Sequence, residues 1–150
     1  MSGIRNSFRL AANVVKTSNT TLITTGLSSV IAPLQKMHFR WWVPFTEAAG
    51  TAGIKFLAAL TQTATLFTLS FFISNLVATH VATDNAGLQL ASGTNFTGTG
   101  ANAGNYLCVV ELDIVNGSTA GVVDLQFAQN VSDAGATTVL AGSYLETVVL

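Results

Sequence analysis

The side chains that could catalyse a reaction or bind a metal ion are few and scattered in this chain. The two histidines, His38 and His80, stand 42 positions apart, and neither has a cysteine or second histidine at the spacing of a zinc site. The sequence contains no Gly-x-Ser-x-Gly nucleophile elbow and no phosphate-cradling loop. It therefore predicts no catalytic residue, no metal site and no cofactor, and it predicts that the protein is not an enzyme.

Glu111 and Asp113 form the carboxylate pair whose spacing most suggests chemistry. They are two positions apart on a predicted strand, so their side chains share one face. They would be paired carboxylates, or half of a calcium site completed by Asp124 across a predicted hairpin. The alternative is a solvated or salt-bridged face, which the sequence favours.

Aromatic residues are concentrated around Arg40: Phe39, Trp41, Trp42 and Phe45. Such a cluster suggests stacking on a sugar or a nucleic-acid base. However, both faces of this strand carry large apolar groups, which is typical of a strand in the middle of a sandwich or between subunits. We therefore predict that Trp41 lies in the core and that His38, Arg40 and Trp42 lie at a subunit interface.

The composition of the chain also indicates an assembly subunit. Only 9% of the 150 residues are charged and 49% are hydrophobic, whereas roughly 25% of a typical soluble domain is charged. A monomer with so little charge covers its surface poorly, so we expect copies of the chain or a partner to cover part of it. The net charge of −1 argues against nucleic-acid binding, which needs a strongly basic face.

The charges are divided unevenly between the two halves of the chain. All six basic residues and one acidic residue lie in the first 75 positions, and the other six acidic residues follow, so the halves carry +5 and −6. Two interpretations stay open. Basic and acidic strands pair within one fold, or the basic side of one subunit meets the acidic side of its neighbour.

Targeting and covalent cross-links are not indicated. Residues 1–16 contain no continuous apolar stretch of a secretion signal, which favours synthesis in a cytoplasm. Residues 56–83 lack charge, but their threonines and β-branched residues favour strands over a membrane helix. A single cysteine, Cys108, excludes an internal disulfide, and its apolar surroundings predict a buried thiol.

Strands separated by Gly, Asn, Ser and Thr turns must position these residues. The predicted strands cover residues 8–15, 20–24, 28–31, 37–44, 53–60, 66–73, 75–81, 106–115, 122–128, 137–140 and 144–149. The first of them, 8–15, is alternatively an extended arm. A turn at Thr25-Gly26 separates 20–24 from 28–31, and the last two strands form a hairpin. The glycine-rich residues Asp84 to Asn105 are predicted to be a long surface loop. The pattern predicts an all-β fold, an antiparallel β-sandwich of jelly-roll type. An extended N-terminal arm (1–16) would precede a single sandwich domain (17–150).

Two parts of the chain resemble small virion proteins of tailed bacteriophages. The first runs from Ser18-Asn19-Thr20-Thr21-Leu22 to Met37-His38-Phe39-Arg40-Trp41-Trp42 and Thr51-Ala52-Gly53-Ile54-Lys55-Phe56. The second is the strand ending in Asn116-Gly117, its return after Thr119-Ala120-Gly121, and the turn at Gly142-Ser143. The resemblance covers about residues 16–150 and consists of strands and turns. It implies a β-sandwich that forms homotrimers and serves in a phage particle.

From this resemblance we expect a non-enzymatic virion structural protein, made in the host cytoplasm. It would be a capsid decoration (cement) protein that clamps major capsid subunits, with Arg5, Phe8 and Arg9 of the arm as the capsid contact. The alternative is a tail, collar or fibre-tip module that binds a host receptor or glycan. The expected partners are other copies of the chain and the major capsid protein, with no nucleic acid and no membrane.

Overall fold

A computed structural model describes residues 5–48, 51–75, 85–98 and 103–150, and these residues form strands and loops without a helix. The twelve strands are β1 (Arg5–Arg9), β2 (Val14–Lys16), β3 (Ile23–Ile31), β4 (Lys36–Glu47), β5 (Ile54–Leu60), β6 (Ala64–Asn75), β7 (Asn85–Gln89), β8 (Phe96–Gly98), β9 (Gly104–Asn116), β10 (Gly121–Gln129), β11 (Thr137–Val139) and β12 (Tyr144–Val149).

The strands form two antiparallel sheets packed face to face. The larger sheet has the order β1-β12-β4-β9-β6-β7, and β11 lies between β2 and β4. The smaller sheet has the order β3-β10-β5-β8. In the described part of the chain, β6 and β7 are the only hydrogen-bonded neighbours that follow each other in sequence. The chain thus crosses repeatedly between the sheets, and the predicted antiparallel β-sandwich of jelly-roll type is confirmed.

The core lies between the sheets and follows the two-residue alternation that the sequence predicts. The inward-facing residues of β4, β9 and β10 are all buried: Met37, Phe39, Trp41, Val43, Val110, Leu112, Ile114, Val123, Leu125 and Phe127. The ring of Trp41 stacks on Phe39 at a centroid distance of 5.4 Å. Its indole N–H donates a hydrogen bond to the carbonyl of Leu27 on the opposite sheet at 3.0 Å. The prediction that Trp41 is a core residue is confirmed.

The predicted hairpin of residues 137–149 is wrong, although its two strands are present. Both β11 and β12 pair with β4, end to end, and not with each other. The N-terminal segment has the matching interruption, since β1 pairs with β12 and β2 with β11. Leu10 links the two breaks, because its N–H donates to the Ser143 carbonyl and its carbonyl accepts from the Gly142 N–H. The N-terminal segment therefore forms one edge of the larger sheet, as the two strands β1 and β2.

The predicted turn at Thr25-Gly26 is also wrong, because β3 runs through these residues as one strand. Gly26 has a φ of +86°, and the pairing of β3 with β10 shifts register opposite it. This arrangement is a β-bulge, in which glycine tolerates the positive φ at no steric cost. The Thr25 hydroxyl donates to the Leu125 carbonyl at 2.7 Å, which satisfies a polar group buried at the bulge.

The glycine-rich segment 84–105 is not one long loop, since it contains β7 and β8. Phe96 on β8 is buried and stacks on Phe71 and Phe56 at centroid distances of 4.6 and 5.7 Å. One aromatic residue thus anchors a segment whose composition predicts no core contact. The predicted strand at 75–81, apart from its first residue, lies outside the described residues, as does His80.

The uncharged stretch 56–83 forms most of β5 and all of β6 in its described part. None of the described residues belongs to a helix of the length and apolarity needed to cross a membrane.

Candidate functional site

The larger sheet turns one face away from the core, and on its first four strands this face carries charged and aromatic side chains. We call these side chains on β1, β12, β4 and β9 the outer face. They are directly opposite one another in the register of the sheet, and directly opposite residues point to the same side. The members are Arg5, Ser7, Arg9, Val148, Glu146, Tyr144, His38, Arg40, Trp42, Asp113, Glu111 and Val109.

The outer face carries charges whose sign changes from strand to strand. The edge strand β1 contributes Arg5 and Arg9, and β12 contributes Glu146. Next to them β4 contributes His38 and Arg40, and β9 contributes Glu111 and Asp113. Because neighbouring strands lie about 4.8 Å apart, these residues form four parallel columns with the basic, acidic, basic, acidic order.

The columns of β4 and β9 pair with each other within the chain. Arg40 Nε lies 3.4 Å from Glu111 Oε1, and His38 Nδ1 lies 3.0 Å from Asp113 Oδ1. All four side chains are partly exposed, and such surface ion pairs contribute little stability. The intramolecular interpretation of the charge division therefore holds for Arg40, one of the six basic residues. The carboxylate pair is part of a salt-bridged surface, as the sequence favours.

An aromatic and apolar row crosses the same sheet beside the charges. Trp42 stacks on Tyr144, with ring centroids 6.4 Å apart and planes 8° from parallel. Val109 lies next to Trp42, and Phe72 of β6 follows with 42% of its surface exposed. A shallow cleft of about 290 Å³ lies between Val109, Phe72 and Glu111. Trp42 and Tyr144 are half-buried. Trp and Tyr rings at the surface of a sheet are typical of binding surfaces, because both combine a large apolar area with a polar tip.

The three residues predicted to contact a capsid are divided between two surfaces. Arg5 and Arg9 lie on the outer face, together with the predicted interface residues His38, Arg40 and Trp42. Phe8 points to the opposite side of β1, because side chains alternate along a strand.

Phe8 is 41% exposed and lines a cleft at the edge of the sandwich with Ser28, Ser29, Val30 and Val122. Val30 is 74% exposed, so this cleft is a second, apolar surface on the flank of the protein.

The calcium site considered from the sequence is not formed. Asp124 lies on β10 in the smaller sheet, whereas Glu111 and Asp113 lie on the larger one. Burial raises the pKa of Asp124, and hydrogen bonds from Thr24 and Gln126 partly oppose that shift. The described residues contain no group of three or more His, Cys, Asp and Glu side chains that could hold a metal ion.

A cleft of about 520 Å³ opens at one end of the sandwich, where the β5–β6 and β9–β10 turns meet. It is lined by Thr61, Gln62, Thr63, Thr65, Gly117, Ser118 and Thr119. These residues include no charged group and no aromatic ring, so the cleft offers hydroxyl and amide hydrogen bonds without a stacking surface.

Glu47 is a buried acid that the sequence analysis missed. It is the last residue of β4, is only 3% exposed, and lies directly opposite Thr137 of β11. Neither carboxylate oxygen of Glu47 has a hydrogen-bond partner, and the Thr137 hydroxyl also has none. Burial raises the pKa of Glu47 from 4.5 to about 7. Continuing the inward alternation of Phe39, Trp41 and Val43 by two more steps would have identified this residue.

Cys108 is completely buried on β9, as the sequence predicts. Burial raises the pKa of its thiol well above the usual value, so the thiolate needed for nucleophilic chemistry is disfavoured.

Comparisons with known proteins bear on the fold alone. No family model and no curated protein matches the chain. Among solved structures, the Eiger TNF of S. frugiperda is similar over 100% of this chain and 94% of its own, with 8% identity and a TM-score of 0.44. The Yersinia pseudotuberculosis-derived mitogen is similar over 75% of this chain and 88% of its own, with 14% identity and a TM-score of 0.36. A chain of broad bean stain virus is similar over 87% of this chain and 94% of its own, with 10% identity and a TM-score of 0.31.

These likenesses are too weak to assign a family or a function. What the fold and the surface define is a class: an antiparallel β-sandwich of jelly-roll type whose outward sheet face carries charged and aromatic side chains. The resemblance to tailed-phage virion proteins stays a prediction.

Proposed function

We propose that this chain is a non-enzymatic structural subunit of a bacteriophage virion, and that it decorates the capsid by clamping neighbouring major capsid subunits. The observation that carries the assembly role is the outer face, where the half-buried Trp42–Tyr144 stack lies beside four columns of charge on one sheet. The low charge content of the chain supports the same role. The phage particle as location and the major capsid protein as partner come from the resemblance of residues 16–150.

The clamp would act by burying surface that is exposed in the free protein. A specific contact buries roughly 1,000 Å² or more, and the cleft at Phe8, Val30 and Val122 supplies apolar surface for one on the flank of the sandwich. Because Phe8 and the outer face lie on opposite sides of β1, one subunit can hold a capsid protein and another subunit at the same time. Many such contacts, repeated over a symmetric shell, would resist internal pressure together.

The first test is the copy number of this chain in purified phage particles, measured by quantitative mass spectrometry against the major capsid protein. A decoration protein is expected in several hundred copies, in a simple ratio to the capsid subunit. A few copies to a few dozen would overturn decoration in favour of the tail or collar. There, binding of the Trp42–Tyr144 surface to a glycan array would support the receptor-binding alternative. Absence from particles would overturn the virion role.

The contact itself is tested by adding purified variants to particles that lack the protein. Phe8→Asp puts a charge into the flank cleft and is expected to weaken binding about tenfold or more, as loss of an apolar anchor does. Val131→Asp makes the same kind of change at a residue that is 56% exposed and lies outside the cleft. Equal binding of the two variants would exclude the cleft as the capsid contact.

A further inference from the structure

The charge columns of the outer face have opposite signs at equal distances on either side of the line between β12 and β4. On one side of this line lie β12 with Glu146 and then β1 with Arg5 and Arg9. On the other side lie β4 with Arg40 and then β9 with its two carboxylates. A two-fold axis parallel to the strands along this line exchanges β12 with β4 and β1 with β9. Each column then faces a column of opposite sign.

From this pattern we propose that a second copy of the chain covers the outer face, packed sheet against sheet across that two-fold axis. The proposal deepens the assembly role proposed above, since it names the partner and the contacts of the predicted interface residues His38, Arg40 and Trp42.

The register of the sheet fixes which residues meet. An axis parallel to the strands preserves position along them, so residues in one row of the sheet face the same row of the second copy. Glu146 faces Arg40 of the second copy, because these two residues are partners in the register of β12 with β4. In the neighbouring rows Tyr144 faces Trp42, and Val148 faces His38. At the edge of the contact, Arg5 faces Asp113 of the second copy, because Arg5 and Asp113 both lie in the row of His38.

These contacts give counter-charges to groups that have none in one copy. In the part of the chain that the structure describes, the ion pairs are His38–Asp113 and Arg40–Glu111. Among the described residues, Arg5 and Glu146 therefore have no ion-pair partner within one copy. The second copy brings Asp113 to Arg5 and Arg40 to Glu146, while the Trp42–Tyr144 stack of each copy covers that of the other.

The area is sufficient for a specific contact. Four strands spaced about 4.8 Å apart make a strip roughly 19 Å wide. Strands β11 and β2 continue β12 and β1 along the far end of β4, so the strip follows β4 from Lys36 to Thr46, about 33 Å at the usual rise per residue. The strip thus measures roughly 600 Å² on each copy, about 1,200 Å² for the pair, which is the lower end of the range for specific interfaces.

The symmetry of this contact differs from that of the homotrimer implied by the resemblance. A closed ring of three needs two different complementary surfaces on each subunit. The outer face contains both complementary halves within one surface, which is the property of a two-fold contact. We therefore expect a dimer in solution.

The test uses two charge-reversal variants of the full chain, alone and mixed, in analytical ultracentrifugation and native mass spectrometry. In a dimer of Glu146→Lys, the new lysine of each copy faces Arg40 of the other copy, so two positive charges meet at both contacts. In a dimer of Arg40→Glu, the new glutamate of each copy faces Glu146 of the other copy, so two negative charges meet. Each variant alone is expected to be monomeric, with a dissociation constant raised about a hundredfold or more by the like charges. An equimolar mixture is expected to form a mixed dimer, because both contacts are then between opposite charges. A ring of three cannot alternate two kinds of subunit.

One control variant and one alternative pair of variants complete the test. Lys55→Glu is the matched control, since it reverses a charge on the smaller sheet and is expected to leave dimerisation unchanged. If Arg40→Glu does not fold beside its own Glu111, the pair Arg5→Asp and Asp113→Arg makes the same test at the margin.

A wild-type monomer, a wild-type trimer or a mixture that stays monomeric would each overturn the pairing. Abundance of the chain in particles does not depend on these results, so failure of the pairing and failure of the virion role are distinguishable.

Discussion

Glu47 gives the sharpest test of the packing at the end of β4. It is buried, and both of its carboxylate oxygens lack a hydrogen-bond partner. Lys16 shares its row of the sheet across Thr137, but no ion pair joins Lys16 to Glu47 in the described part of the chain. Burial therefore acts on this carboxyl uncompensated, and its pKa rises from 4.5 to about 7.

The sign and size of the effect follow from proton linkage. The folded protein holds a proton on Glu47 at pH values where the unfolded chain has released it, so the free energy of unfolding falls as the pH rises from 4.5 through 7. One pKa unit corresponds to about 1.4 kcal/mol, so the loss amounts to about 3 kcal/mol above pH 7. Glu47→Gln keeps the shape of the side chain and cannot ionise. We compare the free energy of unfolding of Glu47→Gln with that of the wild type. The variant's advantage is expected to be about 3 kcal/mol larger at pH 8.5 than at pH 4.5.

The assay is urea unfolding followed by tryptophan fluorescence at both pH values, with one protein concentration throughout. Comparing the difference between variant and wild type at the two pH values removes any constant effect of the amide and the titration of other groups. Asp133→Asn is the control, because hydrogen bonds from Thr51 and Gly135 lower the pKa of Asp133, so this substitution should give no gain of stability at the higher pH. A Glu47→Gln difference that stays constant to within about 0.5 kcal/mol between the two pH values would refute the burial argument.

Two other predictions concern the core. Trp41→Ala removes a fully buried ring and its hydrogen bond to Leu27, so urea unfolding should show that the free energy of unfolding falls by about 3–5 kcal/mol. Trp42 lies on the outer face, so Trp42→Ala should lower this free energy clearly less. Equal losses for the two variants would contradict the assignment of faces. The Cys108 thiol should react with Ellman's reagent only after denaturation, because it is buried and its pKa is raised; rapid labelling of the native protein would show that β9 opens.

The sequence predicts the central strands well because they are long and strictly alternating. Strands β4 and β10 keep large apolar residues at every second position, so one face must be buried and the register of faces is fixed. The prediction fails where a single residue outweighs its neighbours. Phe96 makes a core strand out of a glycine-rich segment, and Gly26 bends a strand without ending it. Composition averages over such residues, so it reports a loop or a turn at both places.

The candidate site was predicted in its parts and not in its arrangement. His38, Arg40 and Trp42 share a face by alternation alone, which any single strand shows. That Arg5 and Glu146, 141 positions apart in sequence, lie beside them depends on which strands are neighbours and on how they are shifted along each other. Neither is encoded in local spacing, because strand order and register are set by the packing of the whole core. The charge pattern that makes the outer face complementary to itself is therefore a property of the fold. A division of charge between the two halves of a chain becomes a pattern of alternating columns only when strands from both halves interleave in one sheet.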